Sequence, residues 1–538
     1  MPMQIPQPVW QSRSLGPALA LVAAALLCYA NSLHNGFVFD DSAYVGSPPI
    51  QQFAAGRLLF ENWLNLNLYR PLALLSIALD HHLYGTVPFG YHLTNLLLHI
   101  ANSLLFHRLG LRLLARPAAA LAAALLYSVH PLQTEVVNWV SARGDLLLGL
   151  FLLSGLLCHC RGAPQSSPRH WRILAGGCFA AALLAKESGV MWIGMVWWWD
   201  CCPRGRLEGI WGFSLRWLRR HWGYLLVLGL WLLLRGAVLS TGEPSARPVS
   251  ANFLAGTPLT QRLLTLGSIF LRYLVLLVFP MRLCADYSYN SIPLVASPLD
   301  PWFLSGLGIA LLLAGLPLYL SSPALAFAAG LFWLGLLPVA NLFFLAPSAM
   351  AERYLYLALP ALCLGLGLAL DSWLERPPAQ RRAGLAVLLV ALLCCGARTI
   401  QRNLDWRSDR TLFTAVLALY PGNARAHENL GFAAYQGGQP SEAIAQYKMA
   451  LAIRPQNVRV HCDLGIIYSQ LDRLDEATAA FRAALRLNPN HAHSYYGLGL
   501  VHHKLGQFQT AIHYYQEALR LAPDHRDAAQ GLASLKRR

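Results

Sequence analysis

The stretch ARAHENLGFAAYQGGQPSEAIAQYKMALAIRPQN, residues 424 to 457, decides how the chain is organised, because its landmarks return on a fixed step. Pro421, Pro455, Pro489 and Pro523 stand 34 residues apart, and so do the pairs Leu430-Gly431, Leu464-Gly465 and Leu498-Gly499. Ala443, Ala477 and Ala511 keep that step, as do the aromatics Tyr447, Phe481 and Tyr515. Each unit reads as a helix hairpin. The glycine admits a close approach, the alanine fills the crossing, the aromatic packs on the next unit and the proline ends the second helix.

A 34-residue period of this kind is that of the tetratricopeptide repeat. Three full units, 424–457, 458–491 and 492–525, meet the minimum for a stable stack and define a repeat domain over 424–538. A connecting helix is expected at 399–423, carried by DWRSDRTLFTAVLALYPGN.

Toward the N-terminus the chain changes character. Of its 538 residues 56% are hydrophobic and only 13% charged, with a mean hydropathy of +0.41, which is membrane-protein composition. Apolar segments of about 20 residues, enough to cross a bilayer, recur from Leu15 to about Ala397 and then stop. Candidate spans are 15–33, 92–113, 117–130, 145–160, 172–185, 188–200, 222–240, 263–281, 302–320, 324–345, 354–371 and 383–397. The expected fold is therefore all-α: a polytopic membrane domain of about eleven helices over 1–398, then the repeat superhelix. The first apolar run, preceded by Arg13, is read as an uncleaved span because further spans follow it.

A net charge of +16 would point to nucleic acid in a soluble protein. Here the charge sits in short arginine-rich loops, so a lipid bilayer is the expected partner and nucleic acid is not. Arg108, Arg112 and Arg116 mark one cytoplasmic loop, Arg161, Arg169 and Arg172 a second, and Arg204, Arg206, Arg216, Arg219 and Arg220 a third. Alternation puts Asp40 and Asp41 outside. Arg376, Arg381 and Arg382 mark a fourth cytoplasmic loop, which requires an even number of crossings after Arg220 where five candidates stand. The segment before PMRLCADYSYN is the one expected to be incomplete, and the repeats then share the outer, lumenal-type side with Asp40. The loop 34–91 is too long for a turn and too aromatic for disorder, so it is expected to fold on the outer surface.

Most of the eleven cysteines, Cys28, Cys178, Cys363, Cys394 and Cys395 among them, lie in or beside apolar segments and read as small buried hydrophobes. Cys158, His159 and Cys160 have metal-type residues, but no second Cys/His pair stands at zinc-finger spacing, so no metal site is assigned.

Charged groups near a bilayer centre cost about 2.5 to 3.5 kcal/mol, so they pair, face cavities or mark function. The informative ones are Asp40 and Asp41 in FVFDD, Arg70 in YRP, His130 and Glu135 in HPLQTE, Arg143 and Asp145 in SARGD, Lys186 and Glu187 in AKES, Asp286 in ADYSY, and Glu352 and Arg353 in AERYLY. Two adjacent carboxylates push their pKa values apart, which makes one a candidate general base; capping and solubilising the next segment is the alternative. Arg143, Lys186 and Arg353 are candidates to hold a phosphate. The alternative for them is local neutralisation, Lys186 by Glu187, Arg353 by Glu352 and Arg143 by Asp145.

Taken in order, FVFDD, YRPLALLSIALD, FGYHLTNLLLH, YSVHPLQTEVVNWVSARGDLL, LLAKESGV, RLCADYSYNSIP and PVANLFFLAPSAMAERYLY, followed by tetratricopeptide repeats, resemble the transmembrane and tetratricopeptide-repeat-containing (TMTC) family over nearly the whole chain. VGSPPI departs from the pattern, where an asparagine beside the proline is expected. The resemblance implies a multi-spanning GT-C glycosyltransferase, similar to protein O-mannosyltransferases. Such an enzyme moves a sugar from a polyprenyl-phosphate carrier to Ser or Thr hydroxyls on the outer side of the membrane. The sugar donor is then a substrate and no cofactor is expected.

On that reading Asp41, ahead of Asp40, is the base, Arg353, Arg143 and Lys186 hold the leaving phosphate, and His130, Glu135 and Glu352 shape the site. Arg425, Glu428, Phe432, Tyr435 and Gln436, then Arg459, Cys462, Ile466, Ser469 and Gln470, then His493, Tyr496, Leu500, His503 and Lys504 are expected to line a groove for peptide acceptors, with Tyr435, Tyr496 and His503 as its contacts. The rival readings are an inactive membrane-anchored scaffold and a flippase or ligase of lipid-linked glycans. The short repeat array favours a bacterial plasma membrane over endoplasmic reticulum.

Overall fold

The computed structural model describes residues 15–62, 68–162, 168–201, 210–240, 252–289, 291–319 and 322–536. Arg13, Arg204 and Arg206 lie outside the described residues. Helices occupy all twelve candidate spans: Gly16–Tyr29, Pro88–Leu113, Pro117–Val129, Arg143–Gly162, Arg169–Ala185, Met191–Cys201, Ile210–Ser240, Leu259–Val278, Pro301–Tyr319, Pro323–Leu336, Leu359–Leu374 and Pro378–Asp405. Proline opens several of them, where its fixed φ suits the first turn and its missing N–H costs nothing. The described chain is helical, and the protein is a multi-pass membrane protein.

Among the described residues, five helical stretches are long and apolar enough to cross a bilayer: Gly16–His34, Val140–Arg161, Trp217–Ser240, Leu259–Val278 and Pro378–Asp405. Leu259–Val278, the segment before PMRLCADYSYN, is thus a 20-residue helix of full crossing length, contrary to expectation. Among the described residues, the shorter apolar helices after Arg220 are instead Pro301–Gly315, Pro323–Val339 and Leu359–Leu374. Leu259–Val278 crosses Pro301–Tyr319 at Gly267 and Gly306, where a Cβ on Gly306 would lie 2.0 Å from the Gly267 carbonyl oxygen. Only glycines allow backbones this close, the device by which membrane helices associate without a hydrophobic driving force.

Two ends of the helical bundle can be told apart. At one, Arg116 pairs with Glu375 at 3.1 Å and the Ala115 N–H donates to Asp371 at 2.9 Å, which brings the first and fourth basic loops together. At the other, three buried asparagines lock the end of the first helix to the end of the last. Asn35 donates to Asn138, Asn138 to Asn403, and Asn403 to the Cys28 carbonyl, each at 2.8 Å. The last apolar helix therefore finishes at the end that carries the acid pair.

Residues 34–62 and 68–91 of the long loop are folded, as its aromatics required, and 63–67 lie outside the described residues. Short helices Asp41–Val45, Pro48–Gln51 and Ala55–Phe60 pack with Pro71–Tyr84 around Val45, Ile50, Leu58, Ile77 and Tyr91. Cys28 and Cys363 are buried and Cys178 and Cys395 half-buried, but Cys394 is exposed on the outward face of the last apolar helix.

The chain divides into two compact units, one of residues 1–287 and 293–412, the other of 288–292 and 413–538. In the second, helix pairs 424–436/440–453, 458–470/474–487 and 492–504/508–521 form the repeats, closed by Arg526–Lys536. Asn423 and Asn457 cap the first two units by accepting from the N–H groups of Ala426 and Val460. Asn423 also donates to Ser288 and Ser291, which fastens the 288–292 segment to this unit. A Cβ on Gly465 would lie 2.6 Å from the Phe481 ring, and the same ring stands against Gly497 of the next repeat. Each aromatic thus seals its own hairpin as well as the following one.

Of the expected groove residues, Cys462 and Ser469 are buried in the stack and line nothing. Three of the others tie neighbouring repeats together: Gln470 donates to Tyr435 at 2.7 Å, and Lys504 reaches the Ser469 carbonyl and Asp472. Tyr435, Tyr496 and His503 are half-buried.

Candidate active site

After the first span the chain runs through Phe39, whose φ of 57° is a left-handed conformation uncommon for a bulky residue. It is held there by an N–H bond to Asp409 at 2.8 Å and by ring contacts with Trp139 and Trp406. This turn sends the two following carboxylates to different places.

Asp41, the expected base, is fully buried. Its Oδ1 accepts from the Ser141 N–H at 2.8 Å and hydroxyl at 2.7 Å, and its Oδ2 from the Val38 and Val140 N–H groups at 3.3 and 3.4 Å. Burial, helped by the charge of Asp40, pushes its pKa up to about 7 against the pull of these bonds. With four donors and no exposed surface it fastens the 138–141 loop and cannot meet an acceptor, which corrects the ranking of the pair. Asp40 is only half-buried, and its Oδ1 accepts from the Trp139 indole N–H at 3.1 Å.

Arg353 lies over the face of the same indole, 4.9 Å from the ring centroid. Its Nη1 donates to Glu135 at 2.5 Å and its backbone N–H to the other Glu135 oxygen at 2.9 Å. Burial alone would lower the Arg353 pKa, but Glu135 outweighs it and the guanidinium is held charged. Trp139 thus carries the carboxylate on its edge and the cation on its face.

Lys186 donates to both oxygens of Asp145, at 2.6 and 2.7 Å, and lies within electrostatic reach of Arg70 and Arg353. Burial lowers its pKa and Asp145 opposes the shift. Arg70, singled out in YRP but not placed among the phosphate ligands, pairs with Glu187 at 2.8 Å and remains 27% exposed. Tyr44 senses Asp40, Arg70, Asp41 and Glu187 together. Asp40, Tyr44, Arg70, Lys186 and Arg353 therefore form one polar cluster.

The neighbour pairings expected in the sequence do not form. Each cation reaches across the chain instead: Arg353 to Glu135, Lys186 to Asp145, Arg143 to Asp80, while Glu187 takes Arg70. Adjacent residues at a helix start point apart, so side chains from other elements fill the gap. Arg143 is fully buried and bonded to Asp80, Asn95 and the carbonyls of Ser76 and Tyr91. It is a structural post with no surface for a phosphate.

His130 is likewise structural. Its Nδ1 accepts from the Leu132 N–H and its Nε2 faces the Leu277 carbonyl at 3.1 Å. Glu352 is fully buried, accepts from the Cys284 N–H and from the Tyr287 hydroxyl, and faces Arg402 at 3.8 Å. Burial pushes its pKa up to about 7, with Arg402 pulling down and Glu135 adding to the rise. It braces the 284–287 loop. Trp139, the residue that joins the site, stands in the quoted VVNWVSARGD run, but nothing in an isolated tryptophan announces such a role.

Next to the 351–353 segment the Tyr273 hydroxyl accepts from the Ala351 N–H at 3.2 Å. Tyr273 also lines an apolar cavity of about 440 Å³ that extends along Gly267, Phe270, Phe303 and Trp333.

These features define a multi-pass helical membrane protein with a tetratricopeptide domain and a polar cluster beside an acid pair. Residues 254–314 match the family model Protein O-mannosyl-transferase TMTC, DUF1736, and residues 433–472 and 462–531 match tetratricopeptide-repeat models. The likeness to the TMTC family read from the motifs is thereby shown. Mouse protein O-mannosyl-transferase TMTC4 is 28% identical over 481 residues, covering 79% of this chain and 64% of its own. Mouse TMTC3 is 30% identical, covering 77% of this chain and 48% of its own, and Drosophila melanogaster Tmtc3 29%, covering 81% and 55%. The chain spans between 48% and 64% of the length of these three relatives.

Proposed function

We propose that the protein is a membrane glycosyltransferase that moves a mannose-type sugar from a polyprenyl-phosphate carrier to Ser or Thr hydroxyls of protein acceptors. The observation that carries this reading is Trp139, which joins the half-buried carboxylate of Asp40 to the guanidinium of Arg353. The names of the relatives, all protein O-mannosyl-transferases, supply the sugar and the transfer.

Asp40, not Asp41, takes the proton of the acceptor hydroxyl as its oxygen bonds to the anomeric carbon. The bond from that carbon to the carrier phosphate breaks, and its electron pair leaves on the phosphate oxygen. Growing negative charge there is met by Arg353, with Lys186 and Arg70 beside it. A guanidinium has five N–H donors, and Arg353 gives one to Glu135, so a phosphate can be held without breaking that pair. The apolar cavity beside Tyr273 suits the first isoprene units of the carrier.

We place the acid pair on the outer side, as the arginine loops require, and assign acceptor binding to the repeat surface around Tyr435, Tyr496 and His503. The test is transfer from a panel of radiolabelled polyprenyl-phosphate sugars in purified membranes. Transfer that is lost in Asp40→Asn supports the reading; no transfer from any donor favours the scaffold.

A further inference from the structure

We propose that His159, Asp200 and His221 hold one divalent metal ion of the zinc class, at a site separate from the acid pair. His159 stands near the end of Arg143–Gly162, Asp200 near the end of Met191–Cys201, and His221 where Ile210–Ser240 leaves helical geometry, with φ −114° and ψ 19°. That break turns the His221 ring toward the other two residues.

One ligand atom from each residue lies within 4.8 Å of the others. His159 Nε2 is 3.3 Å from Asp200 Oδ1, and His221 Nε2 is 3.0 Å from Oδ2. Two ligands that each sit about 2.1 Å from a tetrahedral zinc are separated by about 3.4 Å, so each histidine already lies at about that distance from one Asp200 oxygen, and small side-chain rotations within the 4.8 Å cluster bring all three to one ion.

An ordinary histidine–aspartate ion pair would aim each N–H along the line to a carboxylate oxygen. His221 does not: it is 8% exposed, its Nε2 is sealed from solvent, and that atom makes no hydrogen bond in spite of the oxygen 3.0 Å away. A buried imidazole nitrogen that makes no hydrogen bond is available to a metal ion.

The surroundings fit as well. The Tyr224 hydroxyl meets His159 Nδ1 at 3.1 Å, and the Trp217 indole N–H donates to Asp200 Oδ2 at 2.9 Å, the outer contacts that orient metal ligands. Trp192, Trp217 and Tyr224 enclose the histidines in aromatic rings. Two imidazoles and one carboxylate suit zinc and its first-row neighbours. The sulfurs of Cys158 and Cys160, which flank His159, lie outside the cluster.

Asp145, which pairs with Lys186 of the polar cluster, and His159 are fourteen residues apart on one helix, about 21 Å at the α-helical rise. The ion therefore has no part in transfer and clamps three helices together.

The experiment uses the full chain in detergent, stripped with a chelator and then given zinc or cobalt(II). Expected are about one metal ion per chain, a rise in Tm of several degrees (roughly 3 °C or more) and cobalt absorption of a tetrahedral nitrogen and oxygen site. His159→Ala with His221→Ala should lose all three. A folded wild-type protein that takes up no stoichiometric metal overturns the proposal, as does zinc retained by the double variant. If that variant does not fold, Asp200→Asn, which keeps the shape, must weaken zinc binding at least about 10-fold, and unchanged binding again overturns it.

Discussion

A carboxylate that accepts four hydrogen bonds and one that keeps exposed surface do different work even when they are neighbours in sequence. Asp40→Asn should abolish transfer, a fall of at least about 100-fold, with Tm unchanged. Asp41→Asn should lower stability by about 1 to 3 kcal/mol, because its amide NH2, standing in for either oxygen, would face the Ser141 N–H or the Val38 and Val140 N–H groups. Turnover and Tm measured on both variants separate the roles. The pH dependence of Asp41 has a definite sign. Its folded pKa is raised to about 7, so its contribution to stability is complete below about pH 4 and is lost as pH rises through about 7. The stability of wild type relative to Asp41→Asn should therefore fall between pH 5 and pH 8, by about 2 to 3 kcal/mol, and a flat difference would exclude the raised value. Arg353→Lys keeps the charge but loses the planar guanidinium, which gives one N–H to Glu135 and stacks on Trp139. Donor affinity should drop about 10-fold, and equal affinity would leave Arg353 as a structural partner of Glu135.

At the scale of elements, the repeats are set by contacts with no spare room. Gly465 faces the Phe481 ring so closely that Gly465→Ala should cost about 1 to 3 kcal/mol, against about 1 kcal/mol for loss of the Asn457 cap in Asn457→Ala. Protease resistance of the repeat unit in the full chain measures both. Periodicity made these hairpins legible from sequence because one side-chain rule recurs three times. It was less informative for the membrane helices, since hydropathy reports length and not partners: the expected incomplete segment proved to be the 20-residue helix Leu259–Val278.

For the whole molecule, the repeat surface is proposed to serve the acceptor. Tyr435, Tyr496 and His503 are half-buried, and Tyr496 and His503 touch the repeat aromatic Tyr515, so their joint replacement by Ala is tested at a temperature where the variant's repeat unit remains protease-resistant. Transfer to long polypeptide acceptors should fall at least about 10-fold more than transfer to a minimal peptide. Competition kinetics with the two acceptors decides this, and an equal effect on both would assign the surface to assembly of the repeats.

What the sequence determined by itself was whatever rests on local pattern. Composition and apolar run length marked the membrane domain, a 34-residue step marked the repeats, and costly charges near the bilayer marked the neighbourhood of the site. What only the tertiary structure decided was which charges meet. Arg143 proved a sealed post, Arg70 joined the cluster, Trp139 joined Asp40 to Arg353, and His159 found Asp200 and His221 rather than its flanking cysteines. The physical reason is common to all four. A buried polar group must satisfy its hydrogen bonds and charge, and the group that does so is set by which helices pack side by side, a contact that leaves no mark in the order of residues along the chain.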